Sequence, residues 1–158
     1  MKLYIKERIF TLGDQFSVLD DNGNEKYFVQ GEIFTWGKKL HVYDRHGREV
    51  ALIQQELFTL RPCYHVHVGG RDIAQVRKEF SFLFPRYHVY GLDWDVEGEL
   101  FGHEYTVSKN GRNVVSISKE WMTWGDCYEL DIAADADEIV ALAVVVTIDC
   151  VVEAQNNN

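Results

Sequence analysis

The sequence contains 158 residues, of which 46% are hydrophobic and 13% aromatic, and this indicates one ordered domain with a sizeable core. Its net charge of −9 disfavours nonspecific binding to nucleic acids or anionic membrane surfaces, and we expect no nucleic-acid partner. Three cysteines, Cys63, Cys127 and Cys150, are too few for a disulfide scaffold, and charges interrupt the N-terminal M-K-L-Y-I-K-E-R, which is unlike a signal peptide. We therefore expect a cytoplasmic protein.

Before residue 135 the sequence alternates short strand-like runs with turn signals such as Asn-Gly and Gly-Gly. The runs are rich in aromatic and β-branched residues, and both prolines fall between them. About twelve strands are predicted, at Leu3–Phe10, Gln15–Leu19, Lys26–Gln30, Lys39–Tyr43, Glu49–Leu57, Tyr64–Val68, Asp72–Lys78, Arg86–Tyr90, Asp93–Glu97, His103–Val107, Asn113–Glu120 and Cys127–Ile132. Strands spaced about every 8–12 residues indicate a sandwich or a barrel.

Two segments of the chain repeat each other without a gap. Gly47–Val68 reads G-R-E-V-A-L-I-Q-Q-E-L-F-T-L-R-P-C-Y-H-V-H-V, and Gly111–Ile132 reads G-R-N-V-V-S-I-S-K-E-W-M-T-W-G-D-C-Y-E-L-D-I. The spacing exceeds that of short solenoid repeats and indicates duplicated β-meander units within one barrel. The match also predicts equivalent inward-facing side chains in the two copies: Tyr64, Val66, Val68, Tyr128, Leu130 and Ile132.

The most hydrophobic stretch comes last. From Ile139 to Val152 only Thr147 and Asp149 are polar, so a helix there is apolar nearly all round and must be surrounded by protein or lipid. Asp135 has Glu138 three residues later, which is the spacing of a capping box. The helical segment rises roughly 21 Å, short of the ~30 Å hydrocarbon core of a membrane, and Asp149 lies within it. A helix buried in protein is therefore favoured over a membrane anchor.

A hydrophobic helix and about twelve strands are compatible if the strands close around the helix. More than eight strands leave a lumen, and a helix ~10–12 Å across fills it. The predicted fold is therefore mainly β, a closed antiparallel barrel of about twelve strands that encloses a central hydrophobic C-terminal helix. Residues 1–153 are predicted to form this single domain, with the core helix at about 136–152 and a flexible polar tail at 154–158.

Three segments and the helix together resemble the LURP-one-related family, whose relatives include the Tubby C-terminal domain and the phospholipid scramblases. The segments are L-Y-I-K-E-R at 3–8, Y-F-V-Q-G-E-I-F-T-W-G-K-K-L at 27–40 and S-I-S-K-E-W-M-T-W-G-D-C-Y-E-L-D-I at 116–132. The resemblance implies a twelve-stranded Tubby-like barrel around a central helix. Because Tubby domains bind phosphoinositides through surface basic residues, it also implies a module that binds a lipid headgroup or another anionic small ligand.

Five residues are candidates for ligand binding. Lys38, Lys39, Arg77 and Lys78 belong to the basic residues that could form a lipid-headgroup patch, although they could also be solvated edge and turn residues. An isolated buried carboxylate is costly. Asp149 is therefore expected either to anchor a ligand at one mouth of the barrel or to fix the helix register through a hydrogen bond or ion pair.

Cys63, His65 and His67 alternate along one predicted strand and so point to one face. Thiolate and imidazole ligands at this spacing can bind zinc or another transition metal. In the repeat, however, Cys127, Glu129 and Asp131 occupy the equivalent positions, which favours a solvent-facing polar row. We therefore predict no metal ion, and these three residues stay as candidates.

The sequence contains no nucleophile elbow, Walker loop, dinucleotide fingerprint or zinc-protease motif, so we predict a protein that is not an enzyme and needs no cofactor. The favoured function is binding of a lipid headgroup or other anionic small ligand, without stable membrane insertion. One alternative is a cytoplasmic scaffold that binds a protein partner through exposed tryptophans such as Trp94 or Trp121. Another is a scramblase-like, membrane-associated protein.

Overall fold

The computed structural model describes residues 1–6, 15–32, 36–79 and 86–156. Over these residues the chain forms twelve strands and one helix. The strands are β1 (Lys2–Lys6), β2 (Gln15–Leu19), β3 (Glu25–Gly31), β4 (Lys39–Asp44), β5 (Glu49–Gln55), β6 (Cys63–Val68), β7 (Arg71–Glu79), β8 (Arg86–Tyr90), β9 (Trp94–Glu99), β10 (Glu104–Lys109), β11 (Arg112–Met122) and β12 (Gly125–Ile132). The helix is α1 (Glu138–Asn156).

The strands form a closed antiparallel barrel, as predicted. Each strand pairs with its neighbours in the sequence, and β12 pairs with β1 to close the ring. Strand ends differ from the predicted ones by a few residues, and the predicted extension of the first strand to Phe10 lies outside the described residues. The closed ring leaves no edge strand open for pairing with another chain.

The core consists of the inward faces of the strands and the helix that they enclose. Alternation along each strand sends every second side chain inward, and one fully buried valine or isoleucine comes from each of many strands. Examples are Val18, Val29, Val42, Ile53, Val66, Val76, Val89, Val107 and Val115. All helix residues from Ala141 to Val152 are buried, including Thr147 and Asp149. The predicted central helix is confirmed.

The helix begins two residues later than the capping-box spacing suggests. The carboxylate of Asp137, rather than that of Asp135, accepts hydrogen bonds from the backbone N–H groups of Ile139 and Val140, at 3.0 and 3.1 Å. Glu138 does not reach back to a cap but accepts a hydrogen bond from the Tyr27 hydroxyl at 2.7 Å, which ties the first turn to β3. The capping residue is therefore the aspartate next to the helix.

The helix continues to Asn156, four residues beyond its predicted end at 152 and into the segment predicted to be a flexible tail. Residues 153–155 are Glu, Ala and Gln, all good helix formers, so nothing in the sequence stops the helix at Val152. In the described part of the chain, no helix is both long enough and apolar enough to span a membrane.

The repeated segments form two equivalent hairpins, β5–β6 and β11–β12, which lie six strands apart around the ring. The predicted inward faces are confirmed, since Tyr64, Val66, Leu130 and Ile132 are buried. The tips of the hairpins differ. Strands β11 and β12 stay paired up to Met122 and Gly125, whereas β5 and β6 separate after the hydrogen bond between Glu56 N and Cys63 O at 2.8 Å.

The barrel therefore has two different ends. One end, which we call the helix-start end, has short turns such as Arg45–Arg48 and Gly69–Gly70, and the helix begins there. The other end, which we call the helix-exit end, carries the loop 57–62 between β5 and β6, and the last turns of the helix reach it. An ion pair of 3.1 Å between Lys38 and Glu153 ties the helix to this end.

We predict that Leu142→Ala lowers the free energy of unfolding by about 2–5 kcal/mol, because Leu142 is fully buried in the helix–barrel core and truncation leaves a cavity. Chemical denaturation measures this loss. Leu60→Ala is the matched control, because Leu60 is fully exposed and its truncation should change stability by less than about 0.5 kcal/mol. Equal effects of the two substitutions would contradict the enclosed helix.

Candidate functional site

A pocket of about 630 Å³ lies at the helix-exit end, between the loop 57–62 and the adjoining ends of β6 and β7. We call it the basic pocket. Its lining, among the described residues, is Glu56, Thr59, Leu60, Arg61, Cys63, Arg77, Lys78, Glu79 and Tyr90. The pocket exists because β5 and β6 separate here, whereas the equivalent hairpin β11–β12 stays paired to its tip.

Strand register positions the side chains on the strand side of the pocket. Cys63 on β6 lies opposite Arg77 on β7. The guanidinium carbon of Arg77 lies 4.0 Å from the centroid of the Tyr90 ring, close enough for a cation–π contact. The Tyr90 hydroxyl donates a hydrogen bond to Glu79. These contacts hold Arg77 at the pocket wall.

The basic pocket is lined by more basic than acidic side chains, although the chain as a whole is acidic. Arg61, Arg77 and Lys78 face Glu56 and Glu79 across its described lining. Glu79 is already engaged by Tyr90, and Glu56 by His65 at 3.1 Å. A concave site with arginine and lysine side chains from separate segments suits phosphate or carboxylate groups.

The structure brings two of the four predicted basic residues together, Arg77 and Lys78, and adds Arg61, which the sequence reasoning missed. A signal was present, because Arg61 and Pro62 stand where the second repeat has Gly125 and Asp126, so the two hairpins cannot share one turn.

Lys38 and Lys39 do not line the pocket. Lys38 is mostly buried, with its side chain 10% exposed, and pairs with Glu153 of the helix. Lys39 lies 3.8 Å from a carboxylate oxygen of Glu32. Both lysines therefore have carboxylate partners within the barrel itself.

Exposed apolar side chains stand beside the basic pocket. We call Leu57, Phe58 and Leu60 the apolar loop; Phe58 is 97% exposed, and Leu60 is fully exposed. Phe58 has a φ of 61°, a left-handed conformation that is rare for a bulky residue. Gly37 packs against this loop so closely that a Cβ there would lie 2.8 Å from Leu57, which places exposed Trp36 nearby. The loop thus presents an apolar ring to solvent beside the basic pocket, on a strained backbone.

The predicted row of Cys63, His65 and His67 is on one face, but its ligand atoms do not all converge. Glu56, Cys63 and His65 have ligand atoms within 4.8 Å of one another. His67 instead stacks against His65, with ring centroids 6.4 Å apart. A carboxylate oxygen of Asp72 lies 2.8 Å from Nδ1 of His65, on the other side of the ring. The cluster therefore contains Glu56 in place of His67.

The cluster shifts the pKa values of its members. Burial, followed by the hydrogen bond with Glu56, raises the pKa of the Cys63 thiol to about 11. Partial burial lowers the pKa of His65, but hydrogen bonds to Asp72 and Glu56 outweigh it and raise the value overall. A hydrogen bond with Cys63 and one with His65 lower the pKa of Glu56. With a proton on His65, the group is a compact network of ion pairs.

Asp149 is fully enclosed near the helix-exit end. One carboxylate oxygen lies 3.3 Å from the Tyr105 hydroxyl and 3.3 Å from Nδ1 of His103. Burial raises the pKa of Asp149, while the hydrogen bonds from His103 and Tyr105 oppose that rise. This geometry agrees with the interpretation that Asp149 fixes the helix register, because its partners are at the start of β10.

The two tryptophans proposed for partner binding differ. Trp121 is 76% exposed near the tip of the β11–β12 hairpin. The prediction that Trp94 is exposed is wrong, because Trp94 is only 7% exposed and its side chain belongs to the core at the start of β9. Alternation along the strand explains this, since Trp94 and Val96 share the inward face.

A closed twelve-stranded antiparallel barrel around a hydrophobic C-terminal helix defines the class as a helix-filled β-barrel protein. The LURP-one-related family model matches residues 1–149, and the chain belongs to this family.

The chain is also similar to two other proteins. Uncharacterized protein YxjI of Bacillus subtilis (strain 168) is 33% identical over 152 residues, which cover 96% of this chain and 93% of that protein. The X-ray structure of the Arabidopsis thaliana protein AT5G01750 has a TM-score of 0.69 and 17% sequence identity. That match covers 95% of this chain and 90% of the plant protein, and it shows a shared fold.

We predict that the free energy of unfolding of Asp149→Asn increases relative to that of the wild type as the pH rises. Above the ordinary pKa of 3.8 the unfolded chain releases the proton, whereas burial raises the pKa in the folded protein and retains it. The wild type therefore loses stability as the pH rises through this window, and asparagine removes the loss. Thermal unfolding of both proteins between pH 4 and pH 8 (about the range in which proteins are most stable) measures the difference.

Thr147→Val is the control for this experiment. Thr147 is also a buried polar residue of the helix, and its hydroxyl donates to the Ala143 carbonyl at 2.6 Å, but it does not titrate. Its effect on the melting temperature should be the same at every pH. A difference between Asp149→Asn and the wild type that is equally pH-independent would contradict the raised pKa.

Proposed function

We propose that this protein is a non-enzymatic binding module whose basic pocket takes a lipid headgroup or another anionic small ligand. The observation that carries the proposal is the meeting of Arg61, Arg77 and Lys78 in one concave site, although the three come from a loop and a strand of an acidic chain. Arginine presents two parallel N–H donors to a phosphate, and lysine adds a point charge.

The apolar loop beside the pocket favours a lipid as the source of the anionic group. A membrane offers anionic headgroups and an apolar layer within a few ångströms, which is the pairing that the pocket and the loop present. Burial of a side chain such as Phe58 or Leu60 contributes about 1.5–3 kcal/mol, and each basic residue near an anionic surface about 1 kcal/mol. The sum predicts reversible, salt-sensitive binding to the membrane surface, without stable insertion.

A protein partner is the second candidate function. It is supported by Trp121, whose ring is 76% exposed, and tryptophan is enriched among residues that dominate protein interfaces. A scaffold that uses this surface should lose its partner in pull-down experiments with Trp121→Ala and keep it with Arg77→Ala, whereas a headgroup-binding module should show the opposite pattern with vesicles.

We also propose that the protein works in the reducing cytoplasm. Cys63, Cys127 and Cys150 are free thiols, each buried on a different element. Burial raises the pKa of the Cys127 thiol to about 11 and that of Cys150 to about 12, so these thiols stay protonated and inert at neutral pH.

We predict that the triple variant Arg61→Ala/Arg77→Ala/Lys78→Ala binds acidic vesicles about 100-fold more weakly than the wild type, from about 1 kcal/mol per basic residue. Co-sedimentation with neutral, acidic and phosphoinositide vesicles at two salt concentrations measures the effect. Binding of soluble inositol phosphate is measured directly by calorimetry, because such binding without pelleting on any vesicle would identify a free anion rather than a lipid as the ligand.

The matched control removes the same charge from the opposite end of the barrel, in Arg45→Ala/Arg48→Ala/Arg71→Ala. These residues lie in or beside the turns of the helix-start end. The control should pellet with acidic vesicles as the wild type does. Equal losses in the two triple variants would show that overall charge, not the basic pocket, drives binding.

We predict that Phe58→Asn weakens vesicle binding roughly 10- to 100-fold but leaves stability equal to the wild type or up to about 1 kcal/mol higher. The variant loses an exposed apolar ring, whereas asparagine tolerates the left-handed backbone at φ 61° better than phenylalanine does. Leu60→Asn is the comparison, because it should weaken binding without a gain in stability. Loss of stability in Phe58→Asn would mean that the ring supports the fold instead of a contact with membranes.

A further inference from the structure

Three ligand groups of different chemistry converge at the edge of the basic pocket. Glu56 follows β5, and Cys63 and His65 lie on the outer face of β6. Their ligand atoms are within 4.8 Å of one another, and Glu56 and His65 are already 3.1 Å apart. Glu56 and Cys63 also line the pocket, so the cluster and the pocket share a wall.

Asp72 orients the histidine of this cluster. Its carboxylate lies 2.8 Å from Nδ1 of His65, which favours the tautomer that carries the proton on Nδ1. The other ring nitrogen, Nε2, lies 3.1 Å from a carboxylate oxygen of Glu56, so a proton shared between these two atoms is what a metal ion would displace. A carboxylate behind a histidine in this way is the usual second partner of a metal-ligating imidazole, because it fixes the ring and makes it a better ligand.

The ligand set suits zinc. Thiolate, imidazole and carboxylate together are ligands of Zn²⁺, and a deprotonated Cys63 with Glu56 would balance its two positive charges. Bond lengths of about 2.0–2.3 Å require ligand atoms about 3.4 Å apart in a tetrahedral site. The 3.1 Å between Glu56 and His65 is close to this spacing, all three ligand atoms lie within 4.8 Å of one another, and the Glu56 and His65 side chains, at 46% and 23% exposure, have room to move.

We propose that Glu56, Cys63 and His65 form a zinc site whose fourth position opens into the basic pocket. Binding releases the thiol proton of Cys63 to solvent, and Zn²⁺ takes the place of any proton on Nε2 of His65. An anionic group of a ligand could occupy the open position of the ion. This proposal does not depend on binding of lipids, because the metal alone can be tested without vesicles.

The second repeat provides an internal comparison. Glu120 and Cys127 stand at the positions of Glu56 and Cys63, and the Cys127 thiol contacts the Glu120 carbonyl at 3.6 Å. Glu129 replaces His65 and pairs with Lys2 at 3.0 Å. The second hairpin therefore keeps a buried cysteine but lacks the imidazole, and its Cys127 is the matched control for Cys63.

The test is titration of the untagged, reduced full chain with Zn²⁺ against a chromophoric chelator, together with Co²⁺ absorption spectra. The wild type should bind one Zn²⁺ per chain, and Co²⁺ should show a thiolate charge-transfer band. Cys63→Ser should abolish this band, while Cys127→Ser keeps it. Asp72→Asn should weaken Zn²⁺ binding about 10- to 100-fold, and His65→Gln by more than that.

Thermal unfolding of each variant confirms its fold, and His65→Gln tests the site even if a change at buried Cys63 destabilises the chain. The proposal is overturned if the wild type binds no Zn²⁺ with 1:1 stoichiometry, if His65→Gln binds as the wild type does, or if Cys127→Ser removes the charge-transfer band as Cys63→Ser does. If the chain binds acidic vesicles but not Zn²⁺, the zinc proposal is overturned and the proposal of anion binding stands.

Discussion

The fold depends on burial of a helix that is apolar on nearly every side. A helix satisfies its own backbone hydrogen bonds, so it can be enclosed completely if the surrounding side chains are apolar. Twelve strands provide that surface by alternation, and a slip of one residue in any strand would turn polar side chains onto the helix. Thr147 donates back to its own helix, and the buried Asp149 carboxylate accepts a hydrogen bond from the Tyr105 hydroxyl of the barrel. The helix thus specifies the register of the sheet around it.

The charges at the two helix ends follow from the same burial. Glu138 stands at the positive end of the helix dipole, where it accepts from Tyr27 and pairs with Lys26 at 2.8 Å. Glu153 stands near the negative end, which is unfavourable, and Lys38 offsets it through a mostly buried ion pair. Lys38 is therefore part of the structure that holds the helix in place, which explains why a lysine chosen as a ligand residue lies outside the basic pocket.

The sequence was sufficient for the architecture because periodicity reports burial directly. Alternating runs gave the strands, and the helix between Ile139 and Val152 could be buried only inside them. Details that depend on which residues are neighbours in space were harder to predict. Asp135 and Asp137 are both plausible caps in the sequence, and only the bonds to Ile139 and Val140 distinguish them. In the same way, Arg61 joins Arg77 and Lys78 only because β5 and β6 separate, and the sole sequence signal for that separation is the pair Arg61 and Pro62 at the turn positions of the second repeat.

The basic pocket lies where the two repeated hairpins differ at their tips. The repeated hairpins share their inward residues, since the enclosed helix imposes the same requirement on both, but nothing in the core constrains their tips. In one copy Gly125 allows a tight turn, with a φ of 116°. In the other copy Arg61 and Pro62 replace the turn residues, the loop opens, and the released space becomes the basic pocket beside Cys63 and Glu56. The barrel can thus retain its core in both repeated hairpins while only one of them opens into a pocket.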